Sequence, residues 1–237
     1  MPRTGRRADE EQAVGDLVAL VRVELRAIAD PVRAPQMQAY MKSSMPYLGV
    51  PVPVTRRLTR QAAAARPPAD LAALVAVATE LWRSAEFREE RYAATELAAL
   101  RVAAGKLELL PLCREMIVTG AWWDHVDAVS HLIGAMLLAH PATMRPLLLD
   151  WSADPDRWLR RASIISQLGA KDRTDVGLLN QVITPNLPDR EFFVRKAIGW
   201  ALRDYARTAP EWVRQFVERH DGVISPLSRR EALKHLG

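Results

Sequence analysis

The sequence predicts an all-α fold, a HEAT-like α-solenoid of stacked antiparallel helix pairs, on three observations. Apolar residues recur at i, i+3, i+4 and i+7 through a chain dominated by Ala, Leu, Arg and Glu. No run alternates apolar and polar residues with the period of two that a half-buried strand needs. Four aromatic residues, Phe87, Trp123, Trp158 and Phe193, each open a helical segment and lie 36, 35 and 35 residues apart. A period of that length holds one helix pair, the unit of a stacked repeat whose concave face gathers one helix from each pair.

The elements follow from this pattern in order. Residues 1–10 are charged, with no apolar face, and read as a flexible arm; residues 11–237 read as a single repeat domain. Helices are expected over 11–29, 33–44, 54–65, 69–83, 86–103, 108–119, 121–139, 142–152, 155–169, 172–184, 189–207, 210–220 and 227–236. Proline marks the breaks, at Asp30-Pro31, Pro67-Pro68, Leu110-Pro111, Asp154-Pro155, Leu187-Pro188 and Ala209-Pro210. Met45 to Pro53 is too rich in proline for a helix and reads as an ordering segment between the N-terminal helices.

Composition narrows the function classes. Hydrophobic residues make up 49% of the chain and charged residues 26%, the balance of a globular domain. The longest apolar stretch, Leu132 to Leu149, is interrupted by His140, Pro141, Arg145 and Pro146, which makes two helices and no membrane span. Residues 1–13 lack the apolar core of a signal peptide, and Cys113 is the one cysteine, so a cytoplasmic protein without disulfides is expected. Cys113 sits beside Leu112 and near Met116, a setting for core packing. The net charge is +5, and residues 156–237 hold 15 Lys and Arg against 10 Asp and Glu, so the surplus lies wholly in the C-terminal third. A solvated face or a polyanionic partner would each account for it.

One segment stands apart. In Ala-Trp-Trp-Asp-His-Val-Asp, residues 121–127, Trp123 and Asp127 are four residues apart and project from one helical face, inside an otherwise apolar helix. A carboxylate there needs a buried partner or a working surface. Counted from the repeated aromatics, position +3 reads Glu90, Val126, Arg161 and Lys196, and position +4 reads Arg91, Asp127, Ala162 and Ala197. Asp127 then falls in a row with the cations Arg161 and Lys196, as in a lined groove. Packing offers another reading of each residue: Trp123 as a repeat-packing aromatic, Asp127 as an internal partner for Arg161, and Trp200 as core. The five histidines have no metal-ligand spacing, and no glycine-rich phosphate loop or nucleophile elbow is present. No metal and no cofactor is expected.

Several segments together resemble the AlkD family of bacterial DNA alkylation-repair glycosylases. They are Tyr40-Met41-Lys42 with Tyr47-Leu48-Gly49, TGAWWDHVD (119–127), RWLRRASI (157–164), REFFVRKAIGWALRDYA (190–206) and PLSRREALKH (226–235). The resemblance implies a HEAT-like fold with a concave DNA-binding groove. It places the family's catalytic aspartate on Asp127, its lesion-facing tryptophans on Trp123 and Trp200, its phosphate-binding arginine on Arg161 and a groove tyrosine on Tyr40. Lys42, Lys196, Arg195, Arg203 and Arg160 are expected as further DNA contacts. The family's Leu-Gly-Ile-Gln pattern is replaced by Leu48-Gly49-Val50-Pro51, which removes one polar groove contact.

The implied activity is hydrolysis of the N-glycosidic bond of cationic N3- and N7-alkylated purines in duplex DNA, without base flipping. The implied protein is a monomer, active on the nucleoid. Two other readings are kept: a non-catalytic HEAT-like protein that binds damaged or branched DNA, and a solenoid scaffold for a protein partner.

Overall fold

The computed structural model describes residues 3–236 and divides the chain into two compact units, 1–104 and 105–237. The chain is all-α, with no strand among the described residues. The sequence led us to expect one domain over 11–237; the division falls at Ala104–Gly105, between short 3-10 turns at Arg101–Ala103 and Leu107–Leu109. No described helix is long and apolar enough to cross a membrane.

The first unit holds α1 (Arg3–Ala27), α2 (Ala34–Met41), α3 (Val52–Ala65), α4 (Leu71–Arg83) and α5 (Arg88–Ala98). Of the expected N-terminal arm, Met1 and Pro2 lie outside the described residues. From Arg3 onward the backbone is already helical, since no proline follows Pro2 until Pro31. Helices α1, α3, α4 and α5 pack on one another. Their cores repeat at helical spacing: Leu17, Val21 and Leu25 in α1, and Leu74, Val77, Ala78 and Leu81 in α4. Asp70 begins α4 by accepting the Ala73 N–H at 2.8 Å.

The expected non-helical stretch runs from Lys42 to Pro51 and is held by a buried carboxylate. Glu89, on α5, accepts the backbone N–H groups of Leu48, Gly49 and Val50 at 3.0, 2.9 and 3.1 Å. Gly49 has φ +86°, and a Cβ there would lie 2.2 Å from the Asp30 carbonyl oxygen, so both backbone and space demand glycine. Burial raises the Glu89 carboxyl above its ordinary value while the three N–H groups pull it down.

The second unit continues with α6 (Leu110–Gly120), α7 (Trp123–Ala139), α8 (Pro141–Ser152), α9 (Arg157–Ile165), α10 (Val176–Ile183), α11 (Phe192–Tyr205), α12 (Pro210–Arg219) and α13 (Pro226–Ala232). The helices pair in sequence, and α7, α9, α11 and α13 pack successively to form one layer of the stack. Asp156, Asp175 and Ser225 cap α9, α10 and α13. Val126, Val129, Ile133 and Met136 of α7 and Leu159, Ala162 and Ile165 of α9 are buried, and the two helices pack on each other. Cys113 is buried, and burial pushes its thiol up to about 12.

Two glycines set how closely these helices approach. A Cβ on Gly134 would lie 2.3 Å from the Ser166 carbonyl oxygen, and one on Gly199 would lie 2.5 Å from the Cβ of Glu231. Replacing Glu89 with Ala leaves three buried N–H groups of the first unit without acceptors. Urea unfolding is expected to show a loss of about 2–3 kcal/mol. A loss under about 0.5 kcal/mol would show that the loop does not depend on this carboxylate.

Candidate functional site

The site grows from the α6–α7 corner. α6 ends on Ala121 in the left-handed region (φ 40°), Trp122 is extended, and α7 starts at Trp123. This corner corrects the repeat phase. The ring packed against its counterparts is Trp122, 6.1 Å from Trp158 and 5.4 Å from Phe193, with Trp158 and Phe193 5.0 Å apart. Two adjacent tryptophans look alike to a periodicity count, and only the extended backbone at Trp122 turns it toward the ladder. Counted from Trp122, the position equivalent to Arg161 and Lys196 is His125, so Asp127 and the cations do not share one row.

Trp123 is thereby released from repeat packing. It is half-buried, in the first turn of α7, and sits on the same stripe as half-buried Asp127, within about 40° around the helix. The Asp127 carboxylate meets Arg161 of α9 in a two-point contact, Nε to Oδ1 at 2.8 Å and Nη2 to Oδ2 at 2.9 Å. Arg161 also donates from Nη1 to the Phe193 carbonyl oxygen at 2.6 Å. The Arg161 side chain is 5% exposed and that of Asp127 16%. Burial pushes the Asp127 carboxyl above its ordinary value of 3.8, and the Arg161 guanidinium opposes the shift.

The internal pairing of Asp127 with Arg161 is therefore present. The guanidinium expected to hold a phosphate has three of its five N–H groups on Asp127 and Phe193. Its first effect is to fix the direction of the carboxylate.

The other expected residues divide by location. Trp200 is half-buried on α11, among the buried residues Ala197, Ile198, Gly199, Ala201 and Leu202. Lys196 and Arg203, at i−4 and i+3 from Trp200, share its side of the helix. Both are paired with Glu231 of α13, Lys196 at 3.1 Å. The Lys196 hydrogen bond, with the charges of Lys196 and Arg203, holds the Glu231 carboxyl below its ordinary value. Arg195 lies about 140° around α11 from Trp200 and is not brought to that side. Arg160 bridges loops instead, to Asp189 and to the carbonyl oxygens of Asp154 and Pro155 at 2.7 and 2.9 Å.

In the first unit, Tyr40 is 78% exposed near the end of α2, and Lys42 caps that helix with φ 50°. Pro51 begins α3 as its N-cap. Sequence reading missed Trp122, Glu231 and Glu89. Glu231 and Glu89 act through contacts 28 to 41 residues away, which no local pattern reports.

A fixed carboxylate on the same helical stripe as a half-buried aromatic suits a reaction in which positive charge develops next to it. Among known proteins, a family model for DNA alkylation repair enzymes matches residues 21–236. The chain is similar to a solved structure described as a "predicted DNA alkylation repair enzyme from Enterococcus faecalis". The two are 30% identical with a TM-score of 0.72, over 88% of this chain and 97% of that one. Two Streptococcus mutans structures share the fold. One, smu.31 from strain UA159, is 17% identical with a TM-score of 0.60, over 78% of this chain and 98% of that one. The other, AlkD2, is 16% identical with a TM-score of 0.61, over 78% of this chain and 90% of that one. No curated protein matches the chain.

Removing Arg161 leaves the Asp127 carboxylate buried and unpaired. Arg161→Met is expected to destabilise the protein by about 3–5 kcal/mol in denaturant unfolding. The double variant Asp127→Leu with Arg161→Met is expected to recover most of that loss. Equal losses in the single and double variants would contradict the pairing argument.

Proposed function

This chain belongs to the DNA alkylation repair enzyme family, and on that premise we propose that it is a DNA glycosylase. Its substrates are cationic N3- and N7-alkylated purines in duplex DNA, whose N-glycosidic bond it hydrolyses. The observation that carries the reading is the Asp127 carboxylate, aimed by Arg161 and set on the same α7 stripe as Trp123.

The chemistry needs little more. An alkylated N3 or N7 gives the purine a formal positive charge and makes it a good leaving group, so no strong general acid is required. As the bond breaks, positive charge passes to C1′ and O4′ of the deoxyribose. An ionised carboxylate beside that centre stabilises it electrostatically and positions the attacking water. The faces of Trp123 and Trp200 add attraction for a cationic sugar of about 0.5–2 kcal/mol each. This reaction requires no metal or cofactor, and a monomer acting on the nucleoid can perform it without flipping the base. Exposed Tyr40 and Lys42 are proposed strand contacts from the first unit, with Lys196 and Arg203 from the second.

A second reading, a non-catalytic protein that binds damaged DNA, draws support from the pairing of Lys196 and Arg203 with Glu231 and of Arg161 with Asp127. The assay for base release separates the two. Asp127→Asn keeps a hydrogen-bond acceptor for Arg161 and removes the charge. It is expected to lower release of 7-methylguanine from methylated duplex by about 100-fold while leaving duplex binding in place. Unchanged release would sink the glycosylase reading.

Activity needs the ionised carboxylate, and burial raises the carboxyl above 3.8. The enzymatic rate, corrected for spontaneous base loss, is therefore expected to fall as pH drops through that raised value. Asp127→Asn is expected to lack this acid limb. A wild-type rate without an acid limb above pH 3.8 would count against Asp127 as the acting group.

A further inference from the structure

Counted along the chain, the basic surplus lies in residues 156–237, yet the fold also gathers cations in the first unit. Helix α3 carries Arg56, Arg57 and Arg60 and no acidic residue. The three span an arc of about 100° around the helix, with Arg60 one turn, about 6 Å, beyond Arg56. All three are exposed. The buried side of α3 holds Thr55, Thr59, Ala62 and Ala63, and the two threonine hydroxyls donate to the Pro51 and Thr55 carbonyl oxygens at 3.3 and 2.8 Å. Glu89 fixes the Val50 N–H just before the cap residue Pro51, and α3 packs on α1 and α5. The arginines therefore stand on an anchored helix.

One carboxylate answers them. Glu96 of α5, largely buried, meets Arg60 Nη1 at 3.2 Å and Arg56 Nε at 3.5 Å, while both arginine side chains stay at least half exposed. Arg57 has no hydrogen bond or ion pair among the described residues. Three cations against one carboxylate leave a local charge of +2. The cluster of Lys196, Arg203 and Glu231 in the second unit leaves +1. Stability does not account for the set: half-exposed pairs contribute little, and Arg56 and Arg60, at i and i+4, repel each other along the helix. A guanidinium has five N–H donors, so most of those on α3 are open to solvent. Arginine forks on one fixed face match the oxygens of phosphate groups.

We propose that α3 binds the phosphate backbone of duplex DNA through Arg56, Arg57 and Arg60, and that Glu96 limits the strength of that contact. The proposal rests on duplex DNA as the substrate and not on the hydrolytic step. It adds a surface to exposed Tyr40 and Lys42 of the same unit. Phosphate contacts position a duplex and carry no sequence information, which suits an enzyme whose lesions arise in any sequence. Glu96 acts in two ways. It holds Arg56 and Arg60 together before DNA arrives, and its charge opposes the incoming phosphate. Binding is thereby kept weaker than three free arginines would make it, so undamaged duplex is released.

The test measures the affinity of the whole protein for methylated and unmodified duplex by fluorescence anisotropy, between about 50 and 200 mM salt. Arg57→Gln is expected to reduce the steepness of log Kd against log salt by about 0.9, and the double variant Arg56→Gln with Arg60→Gln by about twice that, equally on both duplexes. Glu96→Gln removes the opposing charge and is expected to tighten binding by about threefold. Circular dichroism checks the fold of each variant. If the arginines serve only the fold, losing Glu96 frees them without a gain in affinity. Unchanged steepness in both arginine variants, or unchanged or weaker binding by Glu96→Gln, overturns the proposal. Loss of binding to phosphatidylglycerol vesicles instead of duplex in the arginine variants assigns the patch to a lipid surface and also overturns it. A wild type that binds no duplex fails the DNA reading itself; a steep wild-type dependence kept by both arginine variants fails the α3 surface alone.

Discussion

A single buried guanidinium organises the second unit. Arg161 leaves α9, takes both oxygens of Asp127 on α7, and donates its third hydrogen bond to the Phe193 carbonyl at the start of α11. Three successive helices of one layer are tied at that point. An arginine this deep is tolerable only with its donors engaged, and a buried carboxylate only with a countercharge. The two groups answer each other's requirement, and the direction of the carboxylate follows from it. The aromatic ladder of Trp122, Trp158 and Phe193 closes the neighbouring space, so the pair has a rigid surround.

The same economy governs the other cations. The basic surplus of residues 156–237 suggests a surface free for a polyanion, yet much of it is committed within the fold. Arg160 holds the Asp154–Pro155 corner and Asp189, Arg157 pairs with Glu191, and Lys196 and Arg203 converge on Glu231. Half-exposed pairs of this kind contribute little to stability. They do hold long side chains in place, and a phosphate approaching Lys196 or Arg203 meets two cations around one carboxylate, a local charge of +1. The net charge of +5 still acts at long range to favour approach of a polyanion.

Glycine sets the spacing on which this depends. Gly134 admits the Ser166 carbonyl to α7, and Gly199 admits Glu231 to α11. The first contact brings the segment after α9 against α7, and the second brings Glu231 to Lys196 and Arg203. In the first unit Gly49 does comparable work for the loop under Glu89. In each case a missing side chain makes room for a group of a neighbouring segment.

Much of this architecture was legible without the structure. The 3.6-residue periodicity and the proline breaks located the thirteen α-helices of the described residues, since an amphipathic face and a missing N–H are local properties. The shared face of Trp123 and Asp127 is likewise a matter of helical spacing. The repeat phase was not legible, because Trp122 and Trp123 differ by one residue and only the extended backbone at Trp122 selects which joins the ladder. Nor was the fate of the cations. Whether Arg161, Lys196 or Arg160 faces a partner or solvent depends on carboxylates and carbonyls from other elements, brought near only when helices stack. Periodicity reports which face of a helix is buried. What a charge on that face meets is decided by the helix packed against it.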